Sequence, residues 1–271
     1  MSEPINYKAR SSIRVTWDVW SAMFLREMIT KTTNSRMGWF WMAFEPIAMI
    51  CIILTLRHLV AGNRHIGGAD YIAWSFVGYM GFLLARDTFM NLPGAIDSNS
   101  GLFTYKQIKP VDTVIIRGFV EFTIKSFVFL VMLVVAEVFQ LHIMPYNPLL
   151  ALYVWVSLWA LGLGAGVLAS VAATLIPEVG RIIGLTSIPL LISSAVILPI
   201  NYVPVQFQKI LLLNPIVNGV ETLRTCFFVD YHTVDGVSLL YLWIWALSLL
   251  SLGLMFHVYY KEKLLSSIDK N

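Results

Sequence analysis

Long apolar runs separated by short polar connections constrain this chain more than any other feature. Hydrophobic residues make up 58% of its 271 residues and charged residues 13%, which is unlike the composition of soluble domains. A helix needs roughly 20 mostly apolar residues to cross about 30 Å of hydrocarbon. We therefore predict an all-α, polytopic membrane protein with about six transmembrane helices. The predicted spans cover residues 39–57, 71–92, 114–140, 149–176, 182–200 and 236–257.

Charged residues interrupt the third predicted span, at Arg117, Glu121, Lys125 and Glu137. Because a charge that faces lipid is costly, we expect this span to face protein. Glu121 and Lys125 are about one helical turn apart, a spacing at which opposite charges can pair. A pair between these two side chains is the expectation.

An additional helix is predicted ahead of the first span, at about residues 13–31. Apolar side chains recur there every three or four positions, at Ile13, Trp17, Trp20, Phe24 and Met28. This pattern is typical of an amphipathic helix that lies in the membrane interface. The alternative is a helix that packs on a soluble partner.

The segment 199–235 contains apolar stretches that are too short to cross a membrane. They are separated by Asn214-Pro215 and Asn218-Gly219. Segments of this kind are typically re-entrant or interfacial. We predict two short re-entrant helices on the periplasmic side, just before the last span.

The distribution of cations predicts the orientation of the chain. Lys and Arg cluster in the amino-terminal tail, after the second span and in the carboxyl-terminal tail. Cations near span ends are retained in the cytoplasm, and six spans put all three clusters on one side. Both termini are therefore predicted to be cytoplasmic. The first 38 residues have no apolar core of a cleaved signal peptide, so the first span is expected to direct insertion.

Several kinds of chemistry find no support in the sequence. No GxxxxGK[ST] motif occurs, so any ATP chemistry would come from another subunit. The two cysteines and five histidines lack metal-ligand spacing, and no spacing supports a nucleophile. We expect no catalytic residue, metal or cofactor in this chain, and no nucleic-acid partner, because the net charge is only +3 and its cations are dispersed. Gly162, Gly164 and Gly166 lie in a charge-free run and predict a close helix-packing face.

The polar connection after the second span is a candidate docking segment. It mixes charges with aromatic anchors over residues 97–112, a composition that suits a short helix inserted into a partner's groove. An ordinary surface loop is the alternative. The candidate docking residues are Asp97, Ser98, Asn99, Phe103, Tyr105, Lys106, Lys109 and Asp112.

Aromatic residues are dense in the first two predicted spans. Flat aromatic faces pack well on the C–H faces of sugars, although aromatic belts at the membrane interface account for many such residues. Cations near the outer ends of these spans would suit an acidic polymer. The candidate translocation path consists of Trp39, Trp41, Glu45, Arg57, Arg64, Trp74 and Tyr79.

Five motifs in register connect the sequence to a known family. They are Arg36-Met-Gly38-Trp39-Phe-Trp41-Met-Ala-Phe-Glu45-Pro46, the loop through Asn99-Ser100 and Lys109-Pro110, Glu178-Val-Gly180-Arg181, Leu213-Asn214-Pro215 and Glu221-xx-Arg224. Each motif is weak alone, but together they cover nearly the whole chain in order. The chain resembles ABC-2 type permeases that export polysaccharide, and within them the capsule-exporter permeases of KpsM type.

This resemblance implies a single ABC-2 type transmembrane domain over residues 1–271. It also implies a homodimeric channel, separate ATP-binding subunits of KpsT type that carry ATP and magnesium, and a lipid-linked capsular polysaccharide as substrate. By the same resemblance, residues 97–112 would form the coupling helix and residues 199–235 the periplasmic gate helices. The chain would be a transport subunit in contact with membrane lipid, without enzymatic activity, and a periplasmic export component is a further candidate partner.

Three alternatives stay open at this point. A proton-coupled secondary carrier would need buried ionisable relays, for which Glu45, Glu121, Lys125 and Glu137 are the candidates. A lipid-sugar transferase would need paired carboxylates, and Asp97 and Asp112 are the ones on the cytoplasmic loop. An ABC-2 exporter of another lipid-linked glycan, such as O antigen or teichoic acid, shares the expected fold. A neighbouring gene for an ATP-binding subunit would favour an exporter.

Overall fold

The computed structural model describes residues 12–33, 38–61, 70–105, 107–141 and 143–268. All regular structure within these ranges is helical, which confirms the predicted all-α class. Short 3₁₀ helices cover Pro93–Ala95, Asp97–Thr104 and Ile200–Tyr202. The α-helices are α1 (Ser12–Thr33), α2 (Gly38–Ala61), α3 (Tyr71–Asn91), α4 (Pro110–Val138), α5 (Pro148–Leu175), α6 (Pro177–Leu185), α7 (Ser187–Ser193), α8 (Val205–Leu212), α9 (Pro215–Phe227), α10 (Leu239–Tyr259) and α11 (Lys261–Ile268).

Among the residues that the structure describes, three helices are long and apolar enough to cross a membrane, and they are α4, α5 and α10. They cover the third, fourth and sixth predicted spans. Proline opens α4 and α5 at a position where a helix needs no backbone N–H. The Asn147 side chain accepts a hydrogen bond from the backbone N–H of Leu150 at 3.2 Å and caps α5.

Helices α3, α5 and α10 run side by side in the same direction. Glycines of α5 allow this close approach, because a Cβ at Gly162 would lie 2.5 Å from the carbonyl oxygen of Ala85 on α3. A Cβ at Gly164 would lie 2.6 Å from the carbonyl oxygen of Ala246 on α10. The predicted small-residue packing face is confirmed, and it serves two neighbours rather than one.

Helix α4 runs antiparallel to α5. Two tryptophans of α5 hydrogen-bond to it: Trp155 Nε1 donates to Ser126 Oγ, and Trp159 Nε1 donates to the Gly118 carbonyl, each at 2.8 Å. A buried Trp N–H needs such a partner. These bonds fix the position of α4 along the axis of α5.

The fifth predicted span, residues 182–200, is not one continuous helix. Helix α6 ends at Leu185, and the N–H of Thr186 bonds back to the carbonyls of Ile182 and Ile183. Pro189 has no N–H for the Leu185 carbonyl, and its ring would crowd that oxygen, which favours a break between the two helices. The backbone beyond α7 is irregular, and Ala195 adopts a left-handed conformation with φ 52°.

The second part of this broken segment nevertheless runs along α3, in the opposite direction. Arg86 Nε, towards the end of α3, lies 3.0 Å from Ser187 Oγ. At the other end, Tyr71 Oη donates to the Ile197 carbonyl at 3.2 Å. Residues 187–197 thus pass along α3, first as α7 and then as an unwound stretch.

Two short helices, α8 and α9, occupy the segment between the broken span and α10, as predicted. Helix α9 is largely buried and runs antiparallel to α5. Gly219 packs against Leu158, and the backbone N–H of Asn147 bonds to the Cys226 carbonyl at 3.0 Å. Its first turn at Pro215 lies beside Gly162, about halfway along α5.

Helix α1 only partly follows the expected amphipathic pattern. Phe24 and Met28 pack on the hydrophobic core, whereas Ile13 and Trp17 are exposed. The face that contacts α4 includes Glu27, which is buried. Part of this helix therefore packs through charged side chains rather than through an apolar face alone.

Candidate functional site

Charged side chains on one face of α4 bind α1 and α3. Arg117 Nε lies 2.6 Å from Glu27 Oε1 of α1. The next charged position, Glu121, pairs with Lys31 of α1, and Lys125 pairs with Asp87 of α3. Residues spaced by four share a helix face, which explains why one stripe of α4 holds all three. We call this set the ionic ladder: Glu27, Lys31, Asp87, Arg117, Glu121 and Lys125.

The ionic ladder corrects the expected pair between Glu121 and Lys125. Glu121 instead contacts Lys31 and accepts a hydrogen bond from Asn91 Nδ2 at 2.7 Å, and Lys125 contacts Asp87. Both residues are buried, and the neighbouring helices that exclude water from them also supply their partners. Glu121 and Lys125 therefore pair with side chains on α1 and α3 instead of with each other. The three anions of the ladder are matched by its three cations, and Asp87 also accepts a hydrogen bond from Arg86 Nη1 at 2.8 Å. The prediction that this part of α4 faces protein is confirmed.

The predicted docking segment touches the ionic ladder. Arg117 Nη2 donates to Ser98 Oγ at 2.5 Å, and Ser98 lies in the 3₁₀ helix Asp97–Thr104. Phe103 packs on a group of buried apolar side chains that includes Leu92 and, from α11, Leu264. The docking segment, the carboxyl-terminal helix and the second half of α1 therefore lie at one end of the molecule.

The individual docking candidates differ in their surroundings. Tyr105 is 66% exposed, whereas Asn99 is buried and donates from Nδ2 to the Ala95 carbonyl at 2.9 Å. Asp112 accepts the backbone N–H of Lys109 at 2.9 Å and caps α4. Asp97 is exposed on the 3₁₀ helix. Lys106 lies outside the described residues.

A buried ion pair lies in the half of the molecule away from the docking segment. Arg224 Nη1 and Glu221 Oε1 on α9 are 2.7 Å apart, and both side chains are fully buried. The central guanidinium carbon of Arg224 lies 3.3 Å from the centre of the Trp74 ring on α3. A cation over an indole face is favourable, more so when water is absent.

Arg224 also binds the unwound part of the broken span. Its Nη1 donates to the Ala195 carbonyl at 2.9 Å and its Nη2 to the Val196 carbonyl at 3.3 Å. Asn214 Nδ2 similarly donates to the Ser193 carbonyl at 3.2 Å. Non-helical backbone at membrane depth is tolerated only where protein groups satisfy it. Two of the motifs noted in the sequence thus supply donors to this backbone.

The second carboxylate oxygen of Glu221 binds the loop that follows α9. Tyr231 Oη donates to Glu221 Oε2 at 2.7 Å and Thr233 Oγ1 at 3.0 Å. Burial, and then the charge of Glu221, raise the pKa of Tyr231, so its hydroxyl stays protonated and remains a donor. Neither Tyr231 nor Thr233 belongs to a sequence motif, so sequence reasoning missed both residues. We call Trp74, Glu221, Arg224, Tyr231 and Thr233 the buried cluster.

The candidate path residues divide between two places. Trp41, Glu45 and Tyr79 line a groove of about 510 Å³ between α2, α3 and α7. Arg86 also lines this lateral groove, 3.6 Å from Glu45 Oε1. Trp74 is not there, because it lies fully buried in the buried cluster. The side chains of Trp39 and Arg57, and all of Arg64, lie outside the described residues.

Known proteins resemble this chain over nearly its full length. The chain matches no protein-family model. Over 259 residues it is 30% identical to the polysialic acid transport protein KpsM of Escherichia coli, covering 96% of this chain and 100% of that one. It is 26% identical over 249 residues to the capsule polysaccharide export inner-membrane protein BexB of Haemophilus influenzae, which covers 91% and 92% of the two chains. It is 25% identical over 219 residues to the capsule polysaccharide export inner-membrane protein CtrC of Neisseria meningitidis serogroup B, covering 80% and 82%. The chain therefore belongs to the family of capsule polysaccharide export inner-membrane proteins.

Proposed function

We propose that this chain is the permease subunit of an ABC exporter that moves a lipid-linked capsular polysaccharide across the bacterial inner membrane. The observation that carries this proposal is the full-length similarity to transport proteins named for polysialic acid and capsule polysaccharide. ATP would be hydrolysed in a separate subunit of KpsT type. In this chain, the helices would provide the path and the contact with that subunit.

The proposed topology has six crossings with both termini in the cytoplasm. The crossings are α2, α3, α4, α5, the broken segment 177–200 and α10. The shared direction of α3, α5 and α10 and the opposite direction of α4 support this order. Helices α8 and α9 would form a re-entrant hairpin from the periplasmic side, because α9 starts about halfway along α5.

The ATP-binding subunit is proposed to dock at residues 97–105. Support comes from the exposed Tyr105 and from the contact between Ser98 and Arg117. Because Arg117 also binds Glu27 of α1, a displacement of the docking segment would pull directly on α1 and α4. This arrangement suits a segment through which ATP hydrolysis moves membrane helices.

The polymer is proposed to pass along the lateral groove. Trp41 is 56% exposed and offers a stacking face, while Glu45 and Arg86 supply polar contacts. The groove is open on one side, so a second copy of the chain facing it would close a channel. We therefore propose a homodimer whose path is walled by α2 and α3 of both copies. Trp74 would support the path from behind and not touch the polymer.

The ionic ladder weighs against a proton-coupled carrier. A proton relay needs a buried carboxylate that can accept and release a proton, but Glu121 is bound to both Lys31 and Asn91. Protonating Glu121 would leave Lys31, which is only partly exposed, without its anion, and this is unfavourable. This arrangement supports the proposal that ATP hydrolysis in a partner subunit, and not a proton gradient, drives the transport.

A deletion experiment in the producing strain tests this proposal. Without the chain, polymer should accumulate inside the cell and vanish from the surface, and expression from a plasmid should restore it. The chain should co-purify with the ATP-binding subunit, and a variant of that subunit unable to hydrolyse ATP should block export. Normal surface polymer in the deletion strain would refute the exporter. ATP-independent export that stops when the proton gradient is collapsed would identify a carrier.

A further inference from the structure

A second groove, of about 500 Å³, lies between α8 and the loop that follows α9. Its volume is within the range of about 300–1,000 Å³ that is typical of small-molecule sites. Most of its lining side chains are polar, and they belong to two separate parts of the chain. The polar lining residues are Asn201, Gln208, Lys209, His232, Thr233 and Asp235.

Hydrogen bonds hold the two walls of this α8 groove in place. Asn201 Nδ2 donates across the groove to the His232 carbonyl at 2.9 Å. On the loop side, Thr233 Oγ1 donates to the buried carboxylate of Glu221. On the α8 side, Gln208 Nε2 donates to the Val203 carbonyl at 2.7 Å. The groove is therefore anchored to the buried cluster and does not depend on a loose surface loop.

The α8 groove lies at the end of the molecule opposite the docking segment. Its loop wall at residues 232–235 directly precedes α10, which begins at Leu239. Helix α10 then leads to α11, where Leu264 shares a cluster with Phe103 of the docking segment. In the orientation proposed above, the groove faces the periplasm.

The lining of the α8 groove matches the chemistry of a sugar chain. Amides, a hydroxyl, a carboxylate and an ammonium group provide both donors and acceptors for sugar hydroxyls. Val205, Leu212 and Val234 add apolar patches for the C–H faces of the rings. Lys209 and Asp235 carry opposite charges, so the groove has no strong net field that would favour a phosphate cluster.

We propose that the α8 groove binds a short saccharide segment of the exported polymer as it leaves the membrane. This proposal rests on the proposed export function and adds a second contact site to the path. The groove is open and wet, so each contact is worth little net free energy. Weak binding suits a site that holds a moving chain and then releases it.

Two double variants, called the test pair and the control pair, test the proposal on the full-length chain in lipid nanodiscs. The test pair combines Gln208→Ala with Asp235→Asn and removes one amide and one charge from the groove. The control pair is Gln206→Ala with Asp230→Asn, which makes the same changes at exposed positions on α8 and in the same loop, away from the lining. The probe is a set of oligosaccharides released from the strain's own capsule, with binding followed by NMR saturation transfer and calorimetry.

We expect the test pair to weaken oligosaccharide binding about tenfold and the control pair to leave it unchanged. Surface polymer in cells should fall several-fold with the test pair, at equal amounts of chain in the membrane. Asp235→Asn alone should weaken oligosaccharide binding by less than the test pair does. This single variant keeps the test valid if Gln208→Ala also destabilises α8.

Equal oligosaccharide binding by the test and control pairs would overturn the proposal. A second result would also overturn the proposal. If the test pair loses export and the cross-link to a periplasmic protein but keeps oligosaccharide binding, the groove binds that protein instead of saccharide. If the unaltered chain supports no export at all, the proposed function fails, and the binding comparison still decides whether the groove recognises saccharide.

Discussion

The guanidinium of Arg224 lies over the indole of Trp74, with 3.3 Å between its central carbon and the ring centre. This contact joins α9 to α3 at a point where neither side chain reaches solvent. The same guanidinium binds Glu221 and two carbonyls of the broken span. One arginine therefore connects three parts of the membrane domain.

Replacing Arg224 should destabilise the chain strongly. Arg224→Met leaves Glu221 buried without its cation and removes donors from the Ala195 and Val196 carbonyls. Breaking a buried pair in this way costs about 3–5 kcal/mol. Thermal unfolding in detergent and the amount of chain in the membrane should both decrease. Arg181→Met, at an exposed position on α6, is the matched control and should stay near the original stability; equal melting of the two variants would contradict the role of Arg224.

Gly78 should tolerate no side chain, because the Arg224 guanidinium occupies the space where its Cβ would be. Gly78→Ala should therefore displace Arg224 and lower stability by about 1–3 kcal/mol. Gly184→Ala is the control, since no atom lies within 4 Å of a Cβ built there. That substitution should be neutral or slightly stabilising, as alanine favours a helix over glycine. Thermal unfolding of the two variants side by side checks the contrast.

Arg117 should matter for the attachment of α1. Arg117→Ala leaves Glu27 largely buried without its cation and frees Ser98, at a cost of about 1–3 kcal/mol. Limited proteolysis should then cleave α1 faster, and export should fall while the chain still inserts. Arg117→Lys should restore part of both, because it keeps the charge. Arg26→Ala, on the exposed side of α1, is the control and should change neither the rate of proteolysis nor export. Cleavage of α1 in Arg117→Ala that is as slow as in the original chain would contradict the role of Arg117.

Tyr105 and Phe103 should behave differently although both are aromatic residues of the docking segment. Tyr105→Ala should weaken association with the ATP-binding subunit by about 2 kcal/mol and leave stability unchanged, because the ring is exposed. Phe103→Ala should lower stability by about 1–3 kcal/mol, because its ring packs near Leu264. Co-purification and thermal unfolding of both variants separate these effects. If Tyr105→Ala binds the ATP-binding subunit normally, that subunit docks elsewhere.

Local patterns in the sequence were sufficient for most of the helices. Apolar run length predicted α4, α5 and α10. Of the two expected separators, Asn214-Pro215 does lie at the start of α9, whereas Asn218-Gly219 lies within that helix and does not interrupt it. Run length alone missed the break in the fifth predicted span, although Pro189 within it is a local signal for a kink. Its residues are as apolar as those of a continuous span, and the donors that satisfy its backbone come from Asn214 and Arg224, which follow it in the chain.

The partners of the site residues were also difficult to predict where they lie far away in the sequence. Spacing alone suggested that Glu121 would pair with Lys125, because the two share a helix face. The actual partner of Glu121, Lys31, lies 90 residues earlier, a separation that no local rule addresses. Trp74 was assigned to the path because aromatic residues are dense in the first two predicted spans, whereas its fully buried ring packs against Arg224, a residue 150 positions later.

The order of the ionic partners along the chain has a consequence for biogenesis. Glu27, Lys31 and Asp87 are all synthesised before α4, which carries Arg117, Glu121 and Lys125. When α4 leaves the ribosome, every opposite charge that it needs is already at the membrane. The charged first half of α4 can thus enter against α1 and α3 with its charges neutralised, while the apolar second half needs no such partner. We expect truncated chains that lack α1 to insert the first half of α4 less deeply, so α1 would guide the position of a later segment.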